Sequence, residues 1–218
     1  MEVAIGSWVR RVLPARAERM AARAYRGIFV DLDKVAERLA SRIPPGARLL
    51  DVGGGDGDLL NRLLALRDDI TVDMVDIAPQ VGTLLDPRHG GRIRRFPSTP
   101  IERHALAHAG YYGAALISDV MHHVPREDRS SLLRAMADCI APRGVAFIKD
   151  VEPGHPRAAL GWWCDRYLSG DRGVSLVSRE ALRAIAYQAL AVERFEEIGL
   201  YSIDRPNYIV QISLPDAQ

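Results

Sequence analysis

Short apolar stretches alternate along this chain with longer segments whose apolar residues recur every three or four positions. The short stretches predict β-strands at about residues 48–52, 71–76, 92–96, 114–119 and 145–150. The periodic segments predict helices near residues 57–66, 79–85, 101–108, 127–141 and 178–190. Such alternation is typical of a parallel sheet with helices on both faces, joined by right-handed crossovers. The pattern therefore predicts an α/β fold with a doubly wound sheet.

The C-terminal part of the chain adds two further strands. Residues 193–198 and 207–214 are both strand-like, and only residues 199–206 join them. A connection this short cannot hold a helical crossover, so the two strands should pair antiparallel. The predicted sheet has seven strands, is mostly parallel, and has its last strand antiparallel.

Two segments flank or interrupt this core, which we place at residues 47–218. Residues 1–46 predict a helical N-terminal cap, whose second helix runs from about Asp31 to Arg42. Residues 152–177 predict a lid, because this insertion leaves the fifth strand at the edge where open α/β sheets bind ligands. The lid carries aromatic side chains that could line an acceptor pocket or simply pack the lid down, namely Trp162, Trp163 and Tyr167.

Composition narrows the class of protein. The 218 residues suit one domain with an elaboration, and 48% hydrophobic with 26% charged residues is ordinary for a globular protein. A net charge of +1 provides no field that would attract nucleic acid. No apolar run approaches ~18 residues and no secretory signal is evident, so we expect no membrane span and a cytoplasmic location. The arginine-rich N-terminal helix could pack against a second copy, which leaves a homodimer open.

Cysteine and histidine positions predict neither a disulfide framework nor a metal. Cys139 and Cys164 are the two cysteines, and Cys139 falls in an amphipathic helix, where a buried thiol is expected. We find no set of cysteines and histidines with metal-ligand spacing.

The most informative motif is LLDVGGGDGD at residues 49–58, an apolar strand that ends in Asp51 and runs through a glycine turn into a helix. Glycine lets a ligand approach bare backbone, and a helix N-terminus after a strand is a common ligand-binding corner. The dinucleotide fingerprint would need glycine where this chain has Asp58, which disfavours a nicotinamide-dependent reductase. Carboxylates here suit a ligand with an ammonium group better than a pyrophosphate. A tight corner without any ligand is the alternative.

A second strand ends in Asp76, and an acid at this place can hold the two hydroxyls of a ribose. Two later segments, ALISDVMHHVP at 115–125 and LLRAMADCIAPRGVAFIKD at 132–150, follow in order. With these four pieces in register, the chain resembles the class I S-adenosylmethionine-dependent methyltransferases, and most of all the branch that acts on small molecules. The family fold, a parallel sheet closed by one antiparallel strand, agrees with the predicted sheet.

The resemblance implies residues that hold S-adenosylmethionine. At the methionine end they are Asp51 on the amino group, Gly53 and Gly55 beneath methionine and ribose, and Asp119 and Val120 through their backbone. At the nucleoside end they are Asp76 on the ribose hydroxyls and Ile77 on the adenine. The family usually places an acid after the third strand to meet the adenine amine; this chain has Ser98 and Thr99 there, whose hydroxyls could replace it.

The chemistry expected is methylation of a small molecule, most of all at oxygen, with a histidine as general base. Of the adjacent pair we favour His123, because it stands where similar O-methyltransferases carry their base, and we expect His122 to face the helix side or hydrogen-bond to backbone. Asp150 could orient the base or hold an acceptor hydroxyl. N- or C-methylation by proximity alone, and a silent cofactor-binding partner, remain as alternatives. The acceptor is expected to be aromatic or hydrophobic.

Overall fold

The computed structural model describes residues 30–155, 174–190, 192–199 and 206–215. Its centre is a seven-stranded sheet. The strands are β1 Arg48–Val52, β2 Thr71–Val75, β3 Ile93–Phe96, β4 Tyr112–Ser118, β5 Ile140–Val151, β6 Arg194–Glu197 and β7 Asn207–Ser213. They lie in the order β3-β2-β1-β4-β5-β7-β6.

Strand pairing confirms the predicted sheet. β3, β2, β1, β4 and β5 pair in that order, each strand parallel to the next. β7 enters between β5 and β6 and pairs antiparallel with both. The last strand is therefore the antiparallel one, as the short connection before it indicated.

Helices cover both faces of the sheet, which confirms the doubly wound arrangement. They are α1 Leu32–Ala40, α2 Asp58–Leu66, α3 Ile101–Ala105, α4 Arg129–Asp138 and α5 Arg179–Ala189. Two 3₁₀ turns add Pro87–Arg92 and Met121–His123. Leu39 of α1 and Leu63 of α2 are buried with Leu116, whereas Met136 of α4 and Leu182 of α5 are buried in a second core on the opposite face.

One predicted helix is wrong. Residues 79–85 form a loop with a turn at 83–84, followed by the first 3₁₀ turn. The backbone N–H of Gly82 donates to the Gly55 carbonyl at 2.8 Å and that of Leu84 donates to the Asp56 carbonyl at 2.8 Å. These amides bond across to the glycine turn instead of within a helix, and Gly82 has a positive φ of 67°.

Several predictions concern residues outside the described part of the chain, namely the first N-terminal helix and Trp162, Trp163, Cys164 and Tyr167. Within the described part, α1 confirms the second N-terminal helix, and Cys139 is buried as predicted. Among the described residues, no helix is both long and apolar enough to cross a membrane.

Candidate active site

The glycine turn joins β1 to α2 and exposes bare backbone. Gly53, Gly55 and Gly57 all have positive φ, a conformation that side-chain-bearing residues rarely adopt. A Cβ on Gly53 would run into the side chain of Val120. A Cβ on Gly55 would have the Gly53 carbonyl oxygen as its nearest neighbour, at 3.9 Å. The turn is therefore tightly packed at Gly53 and uncrowded at Gly55, where a ligand could reach the backbone. We call the turn formed by Gly53, Gly55 and Gly57 the glycine cradle.

Asp51 lies under this turn at the end of β1. Its side chain is 4% exposed. Burial, and then the nearby charge of Asp76, raise the pKa of Asp51 to about 7. A cation brought by a ligand would favour the ionised carboxylate, so Asp51 suits the ammonium group that the resemblance assigns to it.

Asp76 follows β2 and is fixed beside the same turn. Its carboxylate accepts hydrogen bonds from the backbone N–H of Gly55 at 3.1 Å and of Ala78 at 2.8 Å. These two bonds orient the carboxylate next to the open side of the cradle, where a ribose would lie. The next side chain, Ile77, is 76% exposed although it is apolar. Such an exposed apolar residue beside a ribose site suits the face of an adenine.

The loop after β3 lies against these residues. The backbone N–H of Ser98 donates to the Ala78 carbonyl, and that of Thr99 to the Asp76 carbonyl, each at 2.9 Å. The Thr99 hydroxyl donates to the Pro97 carbonyl at 3.0 Å. The structure thus brings Ser98 and Thr99 to the nucleoside end of the candidate site, and contact with adenine stays a prediction.

Asp119 and Val120 follow β4 and connect the glycine turn to the histidines. Asp119 is a non-glycine residue with a positive φ of 57°, and its carboxylate is bonded by the Lys149 ammonium at 2.5 and 2.6 Å. Burial, the largest single effect, raises the pKa of Asp119, but the charges of Lys149 and His122 and the hydrogen bonds from Lys149 and Ser118 together lower it. The sequence did not lead us to expect Lys149 at this site.

His122 forms a buried pair with Asp150. The imidazole Nδ1 lies 2.6 Å from one Asp150 carboxylate oxygen, and the backbone N–H of His122 donates to the other at 3.2 Å. We expected His122 to face the helix side or to hydrogen-bond to backbone, whereas its Nδ1 is paired with a carboxylate. β4 and β5 are neighbours, so the segment after β4 meets the end of β5. The ring of His123 lies 4.1 Å from that of His122, and His123 is exposed.

The end of the insertion is fastened to the histidine segment. The backbone N–H of Ser175 donates to the His122 carbonyl at 2.8 Å. Arg129, which is buried, donates to the Ser175 carbonyl at 2.6 Å and to the Val124 carbonyl at 3.1 Å. At the other end, Glu152 follows β5 directly. Both ends of the insertion thus lie at the carboxyl edge of the sheet, where the predicted lid would have to start and finish.

A second cluster, missed by sequence analysis, lies away from this edge. Ligand atoms of Asp73, His104 and His108 lie within 4.8 Å of one another, an arrangement that could hold a metal ion. Asp73 already accepts from the Arg94 guanidinium and, at 2.7 Å, from the Tyr112 hydroxyl. Burial lowers the pKa of His104 to about 4. We interpret the cluster as an internally satisfied hydrogen-bond network.

The structure gathers the predicted residues into one continuous edge. The cofactor candidates Asp51, Gly53, Gly55, Asp76, Ile77, Ser98, Thr99, Asp119 and Val120 surround the glycine cradle, and His122, His123 and Asp150 follow at the end of the neighbouring strands. The uncrowded backbone at Gly55, the buried acid Asp51 and the exposed Ile77 are compatible with S-adenosylmethionine, and their contacts with it stay a prediction.

Comparisons with known proteins agree with this geometry. A family model described as a methyltransferase domain matches residues 20–189. Ubiquinone biosynthesis O-methyltransferase from Xanthomonas axonopodis pv. citri (strain 306) is 31% identical over 121 residues, which cover 55% of this chain and 48% of that protein. The chain spans about half the length of the curated relatives it matches.

Solved structures share the fold at low identity. The S-adenosylmethionine-dependent methyltransferase SibL, in its apo form, superposes with a TM-score of 0.76 at 17% identity, covering 99% of this chain and 63% of that one. The 1,6-didemethyltoxoflavin-N1-methyltransferase of Burkholderia thailandensis, solved with 1,6-didemethyltoxoflavin and S-adenosylhomocysteine, gives a TM-score of 0.66 at 17% identity, covering 99% and 93%.

Proposed function

Because this chain belongs to the class I S-adenosylmethionine-dependent methyltransferases, we propose that it methylates an oxygen atom of a small acceptor molecule, with a histidine as general base. The observation that carries the proposal is the buried pair of His122 and Asp150 beside the cofactor edge. An acceptor hydroxyl must lose a proton when it is methylated, and a neutral histidine is suited to take it at physiological pH.

The residues of the glycine cradle hold and align the cofactor in this proposal. S-adenosylmethionine supplies a methyl group that its positive sulfur already activates for displacement. Asp51 binds the ammonium group, Asp76 binds the ribose hydroxyls, and Ile77 packs on the adenine. Alignment of two reactants can contribute on the order of 7–11 kcal/mol to lowering a barrier, so holding the cofactor in place is a large part of the work.

The base we propose is His122, with Asp150 as the group that orients it. In this proposal the Asp150 carboxylate accepts a hydrogen bond from the Nδ1–H of neutral His122, so the lone pair of the ring lies on Nε2. With S-adenosylmethionine bound, the acceptor oxygen would take the methyl group as the sulfur–methyl bond broke, with that electron pair staying on sulfur, and the acceptor proton would pass to Nε2 of His122. The products are a methyl ether, S-adenosylhomocysteine and one proton. The sequence favoured His123, which is exposed and remains the alternative base.

The acceptor is proposed to be small and aromatic or hydrophobic. The curated relative is named for ubiquinone biosynthesis, and Trp162, Trp163 and Tyr167 lie in the insertion whose C-terminal end bonds to the histidine segment through Ser175. N-methylation is the second candidate function, because the Burkholderia thailandensis neighbour is named an N1-methyltransferase. A cytoplasmic location and a homodimer stay predictions.

The test uses methyl-labelled S-adenosylmethionine with a panel of phenols, catechols and aromatic amines. We expect labelled ethers from the wild type. His122→Ala should lower kcat by about 10²–10⁴-fold, the usual contribution of a general base, and Asp150→Asn should lower it in the same direction. The affinity for S-adenosylhomocysteine should be unchanged in both variants.

His123→Ala is the matched control, since it removes the adjacent ring and leaves the buried pair intact. A large loss of kcat in His123→Ala with a small loss in His122→Ala would move the role of base to His123. Labelled amines without labelled ethers would replace O-methylation by N-methylation. Cofactor binding without any labelled product would favour a silent binding partner.

A further inference from the structure

Lys149 is a buried cation at the candidate site to which the proposed reaction gives no role. The side chain of Lys149 is 1% exposed, whereas that of its partner Asp119 is 40% exposed. The sequence has 29 basic residues, yet only Lys34 and Lys149 are lysines. A lysine places a compact charge at this position, where an arginine would need room for a planar fork.

Lys149 holds Asp119 at both its side chain and its backbone. The ammonium lies 2.5 and 2.6 Å from the two carboxylate oxygens of Asp119. The backbone carbonyl of Lys149 accepts from the Asp119 N–H at 2.9 Å. Asp119 is thereby kept in a left-handed conformation, with φ of 57°, that residues with a side chain seldom adopt.

This conformation decides where the next residue lies. The side chain of Val120 fills the space that a Cβ on Gly53 would occupy, so Val120 packs directly on the glycine turn. A change in the backbone of Asp119 would move Val120 away from Gly53. The ion pair is thus connected, through one residue, to the floor of the cofactor cradle.

The pair also decides which acid is available to a ligand. Asp119 has a cation supplied by the fold, whereas burial and the charge of Asp76 act on Asp51. An ammonium group entering the cradle therefore gains more by meeting Asp51 than by meeting Asp119.

We propose that Lys149 is a positioning residue for the cofactor: acting through Asp119, it holds Val120 against Gly53 and directs the ammonium group of S-adenosylmethionine to Asp51. This inference deepens the proposed function and rests on the cofactor being bound in the glycine cradle. It does not depend on which acceptor atom is methylated.

The experiment is a double-mutant cycle on cofactor affinity. Calorimetry would give the Kd of S-adenosylhomocysteine for the wild type, Lys149→Met, Asp119→Asn and the double variant, with Tm measured on each. Lys149→Met should weaken binding by about tenfold or more in the wild-type background, the size of a lost charged interaction. In the Asp119→Asn background, the same change should alter Kd by less than about twofold, because the partner is already gone.

Lys34→Met is the matched control. Lys34 is the other lysine, and its ammonium forms a long 3.8 Å ion pair with Asp31 at the N-terminus of α1. We expect this variant to bind like the wild type. Lys149→Gln is made in parallel, so that a neutral side chain with a hydrogen-bond donor tests the same idea if Lys149→Met does not fold.

Three outcomes would overturn the inference. One is wild-type affinity in folded Lys149→Met or Lys149→Gln. Another is an equal loss in both Asp119 backgrounds. The third is a lowered Tm with unchanged Kd, which would give the pair a structural role alone. A wild-type protein that fails to bind S-adenosylhomocysteine would instead remove the proposed function itself.

Discussion

Asp51 and Asp119 lie at the ends of neighbouring parallel strands, yet their surroundings shift their pKa values in opposite directions. β1 pairs with β4, so the two acids come close to the same edge of the sheet. Burial, together with Asp76, raises the pKa of Asp51 to about 7. For Asp119, burial is also the largest single effect and raises the pKa, but the charges of Lys149 and His122 and the hydrogen bonds from Lys149 and Ser118 together lower it.

The two carboxylates differ in the source of the cation that balances their charge. A carboxylate that is withdrawn from water, almost wholly at Asp51 and in part at Asp119, is costly unless it meets a positive charge. The fold provides that charge to Asp119 through Lys149, and we infer that the cofactor provides it to Asp51. The two acids have the same residue type and a similar position. Asp119 is paired with a lysine of the fold, whereas we infer that Asp51 is paired with the ammonium group of the ligand.

Removing the carboxylate of Asp51 tests the ligand-bound half of this comparison. Asp51→Asn should weaken S-adenosylmethionine binding by about 10–100-fold, the range expected for a lost charged hydrogen bond. The variant should fold as well as the wild type or better, because a buried acid with a raised pKa is replaced by a neutral group. Calorimetry and thermal unfolding at pH 8 would measure both. A lowered Tm with unchanged affinity would assign Asp51 to the scaffold instead.

A side chain added to the glycine turn at Gly54 would crowd Asp51, and not Asp119, and should lower the stability of the fold. A Cβ at Gly54 would lie 2.5 Å from an Asp51 carboxylate oxygen and 2.8 Å from the Met74 methyl, so Gly54→Ala should cost about 1–3 kcal/mol of unfolding free energy. Gly91→Ala is the control, because a Cβ there meets nothing within 4 Å and should leave stability nearly unchanged. Urea denaturation gives both values. Equal costs at the two glycines would contradict the packing described for the turn.

The pH dependence of cofactor binding should show the titration of Asp51. Because the ligand favours the ionised acid, the affinity should rise with pH by up to about tenfold per unit below pH 7 and level off above it. Above about pH 8 an α-ammonium group itself deprotonates, and the affinity should fall again. Calorimetry in buffers of different ionisation enthalpy would count the proton released. In Asp51→Asn the rise below pH 7 should disappear.

The raised pKa of Asp51 also affects the stability of the ligand-free protein. Here a rise in pH is unfavourable, whereas it favours binding of the cofactor. Between the ordinary pKa of 3.8 and about 7, the folded state binds a proton at Asp51 that the unfolded chain has already lost. The contribution of Asp51 to stability is therefore present at low pH and is lost as the pH rises towards 7. Thermal unfolding of wild type and Asp51→Asn across this range should diverge most at the upper end.

Much of the fold could be predicted because local patterns determined it. β1 spans Arg48–Val52, as predicted, and α1 begins where Asp31 caps it by accepting from the Lys34 N–H. The helix expected at 79–85 failed for a tertiary reason. The amides of Gly82 and Leu84 bond to the glycine turn more than twenty residues away, and no local periodicity reports such partners.

The residues of the candidate site likewise divide into those that local sequence marks and those that only tertiary contacts reveal. Asp51, Asp76 and the glycines stand at strand ends that the sequence marks directly. The pairing of His122 with Asp150 spans 28 residues and depends on β4 and β5 being neighbours, so the local sequence around the two histidines does not report it. Lys149 lies in an apolar strand, where its charge gains meaning only once Asp119 is seen to face it.

The smallest effect expected concerns the contribution of Asp76 to the titration of Asp51. Burial is the larger cause of the raised pKa and the charge of Asp76 the smaller one. Asp76→Asn should therefore shift the midpoint of the pH dependence of binding towards acid by less than about one unit, in addition to weakening binding through the lost ribose contact. The midpoint, measured by calorimetry from pH 5 to 8, isolates the electrostatic part from the contact. Asp119→Asn is the comparison variant, since Asp119 is not among the causes of the shift and should leave the midpoint in place. A midpoint that moves in Asp119→Asn but not in Asp76→Asn would mean that the two acids are not electrostatically separate, and that Lys149 does not isolate Asp119 from the ligand.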